Sequence, residues 1–195
     1  MSCLCKALGR LEMPKILKTL LRIMGGIAAI YLVCVGILVW QLRTITDVSQ
    51  YGSLLTRWEQ VSVNHFPASV PDQATNVRVS YFPGFLQGGA HLQLRAEFPL
   101  NQLEAEHSRL SHSAIAKFVA GEVFPLVPNV NYIKGMPPPA FYAADKDTSL
   151  IYPDDYIVFI LSAEHGDSVP WNHGRTKGIA ISPTRMELVY WVERW

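Results

Sequence analysis

Two runs decide the fold: Asn76–Phe82 (NVRVSYF) and Ala90–Phe98 (AHLQLRAEF), separated by Pro83–Gly89 (PGFLQGG). In the first, Val77, Val79 and Tyr81 alternate with Arg78 and Ser80. In the second, Leu92, Leu94 and Ala96 alternate with His91, Gln93, Arg95 and Glu97. Successive side chains of a strand point to opposite faces, so each run reads as a strand with one apolar and one polar face. Joined across a Gly- and Pro-rich connection, they read as an antiparallel hairpin with a long tip. The polar set is expected to face water.

Toward the C-terminus, Tyr156 to Ser162 is a nearly continuous apolar run, the pattern of a buried central strand. Gly178–Ser182 and Arg185–Trp195 read as a closing hairpin around Ser182-Pro183-Thr184. Toward the N-terminus, Tyr51, Leu54, Leu55, Trp58 and Val61 recur at helical spacing, which predicts a helix over residues 47–64 with Asp47 or Ser49 as its cap and Pro67 and Pro71 beyond its end. A second helix is expected from Asn101 to about Ala120, with Leu103, Leu110, Ala114 and Phe118 as its stripe and Gly121 as its stop. Residues 122–155 are expected to be irregular, because Pro125, Pro128 and the run Pro137-Pro138-Pro139 interrupt both helix and central strand. The sum is an α+β domain with an antiparallel sheet of about five strands and two helices.

A different kind of segment precedes this domain. No charged residue occurs from Ile23 to Trp40, and the apolar span to Leu42 is long enough, at roughly 30 Å of helix, to cross the hydrocarbon core of a bilayer. Lys6, Arg10, Lys15, Lys18 and Arg22 precede it, against the single acid Glu12. The positive-inside rule therefore keeps the N-terminus in the cytoplasm and puts the C-terminal bulk outside. The best small-x-small site, Cys34-Val35-Gly36, is followed by apolar Ile37 to Trp40, so an uncleaved anchor fits better than a cleaved signal peptide. The expected organisation is a basic cytoplasmic tail over residues 1–22, a transmembrane helix over 23–42 and an extracytoplasmic domain over 43–195, in a single-pass protein of the cell membrane. Translation from Met13 in place of Met1 would leave this topology unchanged and would remove Cys3 and Cys5.

From residue 44 onward there are eleven Lys and Arg against fifteen Asp and Glu, so the exterior domain is mildly acidic, which argues against nucleic acid as a partner. All three cysteines, Cys3, Cys5 and Cys34, lie before it, so it has no disulfide and depends on its core.

The chemistry of sites is mostly excluded. G-x-S-x-G, H-E-x-x-H and Cys-x-x-Cys are absent, Glu104-x-x-His107 is half of a di-metal motif with no second copy, and Asp145-x-Asp147-x-Ser149 lacks the glycine and final glutamate of a calcium loop. No cofactor and no metal site are expected. The one loop that gathers acid–base residues is 164–173, where Glu164, His165, Asp167 and His173 are the candidates for a hydrolase or metal-dependent enzyme. Two stretches suggest binding. Phe85, Leu86, Gln87, Gly88 and Gly89 at the hairpin tip offer apolar side chains and backbone N–H groups free for an anion. Trp191 and Trp195 share one face of a strand whose other face carries Met186, Leu188, Tyr190 and Val192. A strand apolar on both faces is either central or covered by a partner.

His65-Phe66-Pro67, the Pro83–Gly89 tip with Leu92-Gln93-Leu94-Arg95, and the terminal Tyr190-Trp191-Val192-Glu193-Arg194-Trp195 resemble segments of uncharacterised single-pass membrane-anchored bacterial proteins. The resemblance covers most of residues 60–195. It implies the anchored architecture and no activity. The functional expectation is a non-enzymatic exterior module that binds another envelope protein or component, with an enzyme on the 164–173 loop and a small-ligand sensor as alternatives.

Overall fold

A computed structural model describes residues 15–85, 89–120, 139–143, 150–165 and 174–194. The chain divides into two units, Met1–Arg43 and Thr44–Trp195. The first contains helix α1, Lys15–Gln41. Its 27 residues extend over about 40 Å. Among the described residues it is the one helix long and apolar enough to cross a bilayer. A helix satisfies its backbone hydrogen bonds within itself, as a segment surrounded by hydrocarbon requires.

The second unit is built on a fully antiparallel sheet: β1 Thr75–Phe82, β2 Ala90–Glu97, β3 Ala116–Val119, β4 Ile157–His165, β5 Gly174–Ser182 and β6 Glu187–Arg194, in the order β1-β2-β6-β5-β4-β3. Both expected hairpins form. The closing one turns through Pro183 to Met186, with Ser182 opposite Glu187.

Three expectations are corrected. The sheet has six strands where about five were expected, and the sixth comes from the end of the second helix. That helix, α4, runs from Leu100 to Ser113, Ala114 turns to an extended backbone, and residues 116–119 form edge strand β3. The segment contains Ile115, Phe118 and Val119, β-branched and aromatic residues that favour a pleated surface, and it pairs with β4 through Phe118 opposite Val158. Second, the apolar run after Tyr156 forms β4, which lies next to the edge, while β6 and β5 occupy the middle. Third, the helix expected over 47–64 is broken into a 3-10 turn at Val48–Gln50, α2 at Tyr51–Leu55 and α3 at Gln60–Val63. Asp47 caps the start, accepting from the Ser49 N–H at 3.0 Å. Ser53 and Thr56 then donate to the carbonyls of Gln50 and Ser53, each at 2.8 Å, in the local competition that makes such residues poor helix formers. Of the expected stripe, Tyr51 and Leu54 are buried, whereas Val61 is exposed.

The sheet is buried on both faces. Helices α2, α3 and α4 cover the first, where Leu54, Val63, Leu103 and Leu110 meet Leu92, Leu94, Ile179, Leu188, Tyr190 and Val192. On the second, Val158, Ile160, Ala180, Val189 and Trp191 pack with Phe141, Tyr152 and Tyr156. His91, Gln93 and Arg95, expected in water, lie on this second face and are buried, as are Ser80, Thr176, Glu187 and Glu193. They face an irregular strap at residues 139–143, where the Phe141 N–H donates to the Leu150 carbonyl at 2.7 Å and other backbone groups are satisfied by side chains. The Gln93 amide oxygen accepts from Tyr142 N–H at 2.9 Å and Ala143 N–H at 3.0 Å, and its NH₂ donates to the Ala140 carbonyl. Glu193 Oε1 accepts from Ala140 N–H at 2.9 Å, and Arg95 Nη1 donates to the Ala143 carbonyl at 3.3 Å. Tyr142 stacks flat on His91 with ring centres 3.6 Å apart.

Candidate functional site

Much of this buried polar face is engaged in holding the strap. It also sets the response of the fold to pH. Burial drives the His91 imidazole, which hydrogen-bonds to Ser80 Oγ at 2.9 Å, down to about 4. His65, whose Nε2 donates to the Trp191 carbonyl at 3.0 Å, is driven to about 4 for the same reason. Burial raises the Glu193 carboxyl to about 8, opposed by the Ala140 N–H. The ordinary values are 6.5 for histidine and 4.5 for glutamate. From pH 6.5 to 8 only the native state keeps the Glu193 proton, so stability falls as pH rises, by about 1.4 kcal/mol per unit. From pH 6.5 down to 4.5 the unfolded chain binds two histidine protons against the one native carboxyl proton, so stability falls as pH drops, by about the same slope. These three groups therefore put the stability maximum near pH 6.5. Glu193→Gln is expected to abolish the loss on the alkaline side and to steepen the acid side. Thermal unfolding of both proteins across this range checks it, and a wild-type midpoint that is flat between pH 6.5 and 8.5 counts against a buried neutral Glu193.

Among the described residues, a cavity is at one end of the other face. It is a cleft of about 230 Å³ between the turn after α2 and the ends of β1, β5 and β6. Arg57, Trp58 and Glu59 come from the turn, Tyr81 from β1, Arg175 from β5 and Arg194 from β6. Each guanidinium is positioned differently. Arg57 lies over the Tyr81 ring at 5.4 Å from its centre, and Arg194 over the Trp58 ring at 5.7 Å, both in the range of a cation–π contact. Arg175 pairs with Glu59 at 2.6 Å, donates to Ser62 Oγ at 2.9 Å and is 3.5 Å from a Glu164 oxygen. Among the described residues, Arg57 and Arg194 have no carboxylate partner. Arg175 and Arg194 are also directly opposite each other in the β5–β6 register, an arrangement of like charges that Glu59 and Glu164 offset on the Arg175 side alone.

Comparison with protein-family models, with curated proteins and with solved structures returns no match. The cleft is therefore read from its own chemistry: three guanidinium groups line a small, largely polar concavity whose apolar share includes the Trp58 and Tyr81 rings.

The residues singled out from the sequence fall unevenly around it. Pro83 and Ala90, the two ends of the hairpin tip, line the cleft, and Phe85 beside Pro83 is 41% exposed. Gly89 is exposed as well, while Leu86, Gln87 and Gly88 lie outside the described residues. Trp191 is fully buried between β2 and β5 under the strap, so its apolar second face is covered by the chain itself, and the reading of Trp191 as a partner surface is corrected. Trp195 lies outside the described residues. Glu164 is an exposed carboxylate at the rim, engaged with Arg175. His165 closes β4 opposite Gly174, and Asp167 and His173 lie outside the described residues, so no acid–base cluster is brought together among those described. Among the described residues no group of three metal-ligating side chains occurs. No local motif joins Arg57, Arg175 and Arg194, so the sequence does not mark them as one set. The signal was the hairpin register: counting seven residues outward from Ser182 and Glu187 puts Arg175 opposite Arg194.

Proposed function

We propose that this chain is a membrane-anchored, extracytoplasmic binding module whose arginine cleft takes an anionic group of another envelope component, without catalysing a reaction. The observation that carries the reading is the convergence of Arg57 and Arg194, each held on an aromatic ring and neither matched by a carboxylate, on one concavity with Arg175. The apolar helix near the N-terminus supports the anchor, and the basic residues Lys15, Lys18 and Arg22 support a cytoplasmic N-terminus. The acidic balance of the domain gives no long-range pull on anions, so selectivity comes from the cleft itself.

The full chain in phosphatidylcholine nanodiscs provides the test. Inorganic phosphate, sulfate and malonate, each at matched ionic strength against chloride, are expected to raise the unfolding midpoint, because a ligand bound only by the native state stabilises it. Arg57→Gln with Arg194→Gln is expected to remove that response while leaving the midpoint in chloride within a degree or two. No response to any of the three anions overturns the reading.

A further inference from the structure

The structure assigns a more specific ligand to this cleft: a terminal phosphate group, admitted in competition with the carboxylate of Glu59. The assignment rests on the anion-receptor reading and narrows it. Three guanidinium groups meet two carboxylates, Glu59 in the lining and Glu164 at the rim, so the cleft carries two unmatched positive charges once Glu59 is displaced. A phosphomonoester, with close to two negative charges at neutral pH, neutralises them, whereas a phosphodiester or a single carboxylate leaves one over.

Geometry points the same way. Arg57, Arg175 and Arg194 arrive from three separate stretches of chain and line one cleft, so three donor groups are available to one ligand, which suits a tetrahedral group with several equivalent oxygens better than a planar carboxylate with two. Among the described residues, Arg57 and Arg194 donate no side-chain hydrogen bond to the protein, so their forks are free for phosphate oxygens. At about 230 Å³ the cleft is below the roughly 300–1,000 Å³ of pockets that engulf a whole drug-sized molecule. It accommodates a charged group and leaves the remainder of the ligand outside, against the Trp58 ring and the exposed Phe85.

Arg175 is the third arm, and Glu59 occupies it. The Glu59 side chain is 67% exposed, and its one charged partner is Arg175. A carboxylate so placed can leave for water as a phosphate oxygen takes its position, and until then it competes with the ligand. The phosphate can be carried on a soluble molecule or on a lipid. Tyr81, whose ring carries Arg57, exchanges backbone hydrogen bonds of 2.8 and 2.9 Å with Ile45, four residues along the chain from the last residue of α1, so a lipid source belongs in the test.

Calorimetric titration of the full chain in phosphatidylcholine nanodiscs decides the matter, with inorganic phosphate and glycerol phosphate as phosphate dianions, dimethyl phosphate as the singly charged diester, and malonate as a dianion of planar carboxylates. Inorganic phosphate and glycerol phosphate are expected to bind at least about tenfold tighter than the diester or malonate. Glu59→Gln, which removes the competitor, is expected to tighten phosphate several-fold. Arg194→Lys, which keeps the charge and loses the fork, is expected to weaken it several-fold. A second set of discs containing phosphatidic acid or phosphatidylglycerol separates the sources. Competition with glycerol phosphate by phosphatidic acid alone assigns the site to a lipid monoester, and none by either assigns it to a soluble one; each supports the phosphate assignment. Malonate or dimethyl phosphate binding as tightly as phosphate, or Glu59→Gln leaving phosphate affinity unchanged, overturns it while the anion-receptor reading stands. Absence of any anion binding overturns both.

Discussion

Glu187→Leu is expected to destabilise the domain over Thr44–Trp195 by about 3–5 kcal/mol, and Arg95→Met added to it is expected to restore most of the loss. Arg95 Nη2 lies 2.5 Å from Glu187 Oε1 with both side chains almost wholly removed from water. Tyr156 donates its hydroxyl to the second Glu187 oxygen, so the carboxylate is satisfied from two sides. Removing the acid alone takes the Glu187 counter-charge from a guanidinium that stays buried, and that loss is the source of the cost. Removing both exchanges an ion pair for apolar volume, which is close to neutral in a packed interior. The Tyr156 hydroxyl then lacks its acceptor, so Tyr156→Phe in the same background is expected to recover a further increment of about 1 kcal/mol. Urea unfolding of the set measures this. A cost below about 1 kcal/mol for Glu187→Leu alone means that the guanidinium finds another partner, and would sink the argument.

The second large effect is at Trp191, where alanine is expected to cost about 3–5 kcal/mol. The indole is fully buried in the middle of the sheet, and its ring lies over Gly178 on β5. The reciprocal substitution tests the same fit from the other side. A Cβ on Gly178 would lie 2.0 Å from the Phe159 carbonyl oxygen and 2.6 Å from the Trp191 ring. The first obstacle is backbone and cannot rotate away, so Gly178→Ala is expected to destabilise by about 3 kcal/mol. Trimming the ring with Trp191→Phe is not expected to rescue it. Thermal unfolding of the two single variants and the combined one provides the check, and a Gly178→Ala midpoint equal to wild type would mean that β4 and β5 are further apart than described.

The sequence revealed period and turn chemistry, and concealed what covers each face. Val77, Val79 and Tyr81 against Leu92, Leu94 and Ala96 announced the first hairpin, and Ser182-Pro183-Thr184 the second. Alternation cannot distinguish a polar residue that meets water from one that meets a polar backbone. His91, Gln93 and Arg95 therefore read as solvent-facing although they hold the strap at residues 140–143. Helical period failed at Ala114 and Phe118, which extend the Leu103–Leu110 stripe in register but belong to the turn into β3 and to β3 itself. The cleft was the least legible feature. Its arginines meet only after a turn, a hairpin register and a sheet order have all been realised, and a charged residue at a strand end carries no mark of its eventual neighbours.

The β2–β6 pairing has a consequence for how the domain is made. It joins residues in the nineties to residues near 190, register for register from Ala90–Arg194 to Glu97–Glu187. The β1–β2 hairpin and the β4–β5–β6 meander each form from neighbouring chain, but the seam between them closes a loop of most of the domain, and such non-local pairing is slow to form. Until it closes, β2 and β6 are open edges rich in Leu, Val and Trp, the kind of surface that recruits strands from other chains. Biogenesis, more than the finished fold, is the vulnerable stage of this molecule. Substitutions that hold the seam's register act first on the fraction of chains that escape aggregation and only afterwards on the stability of those that do.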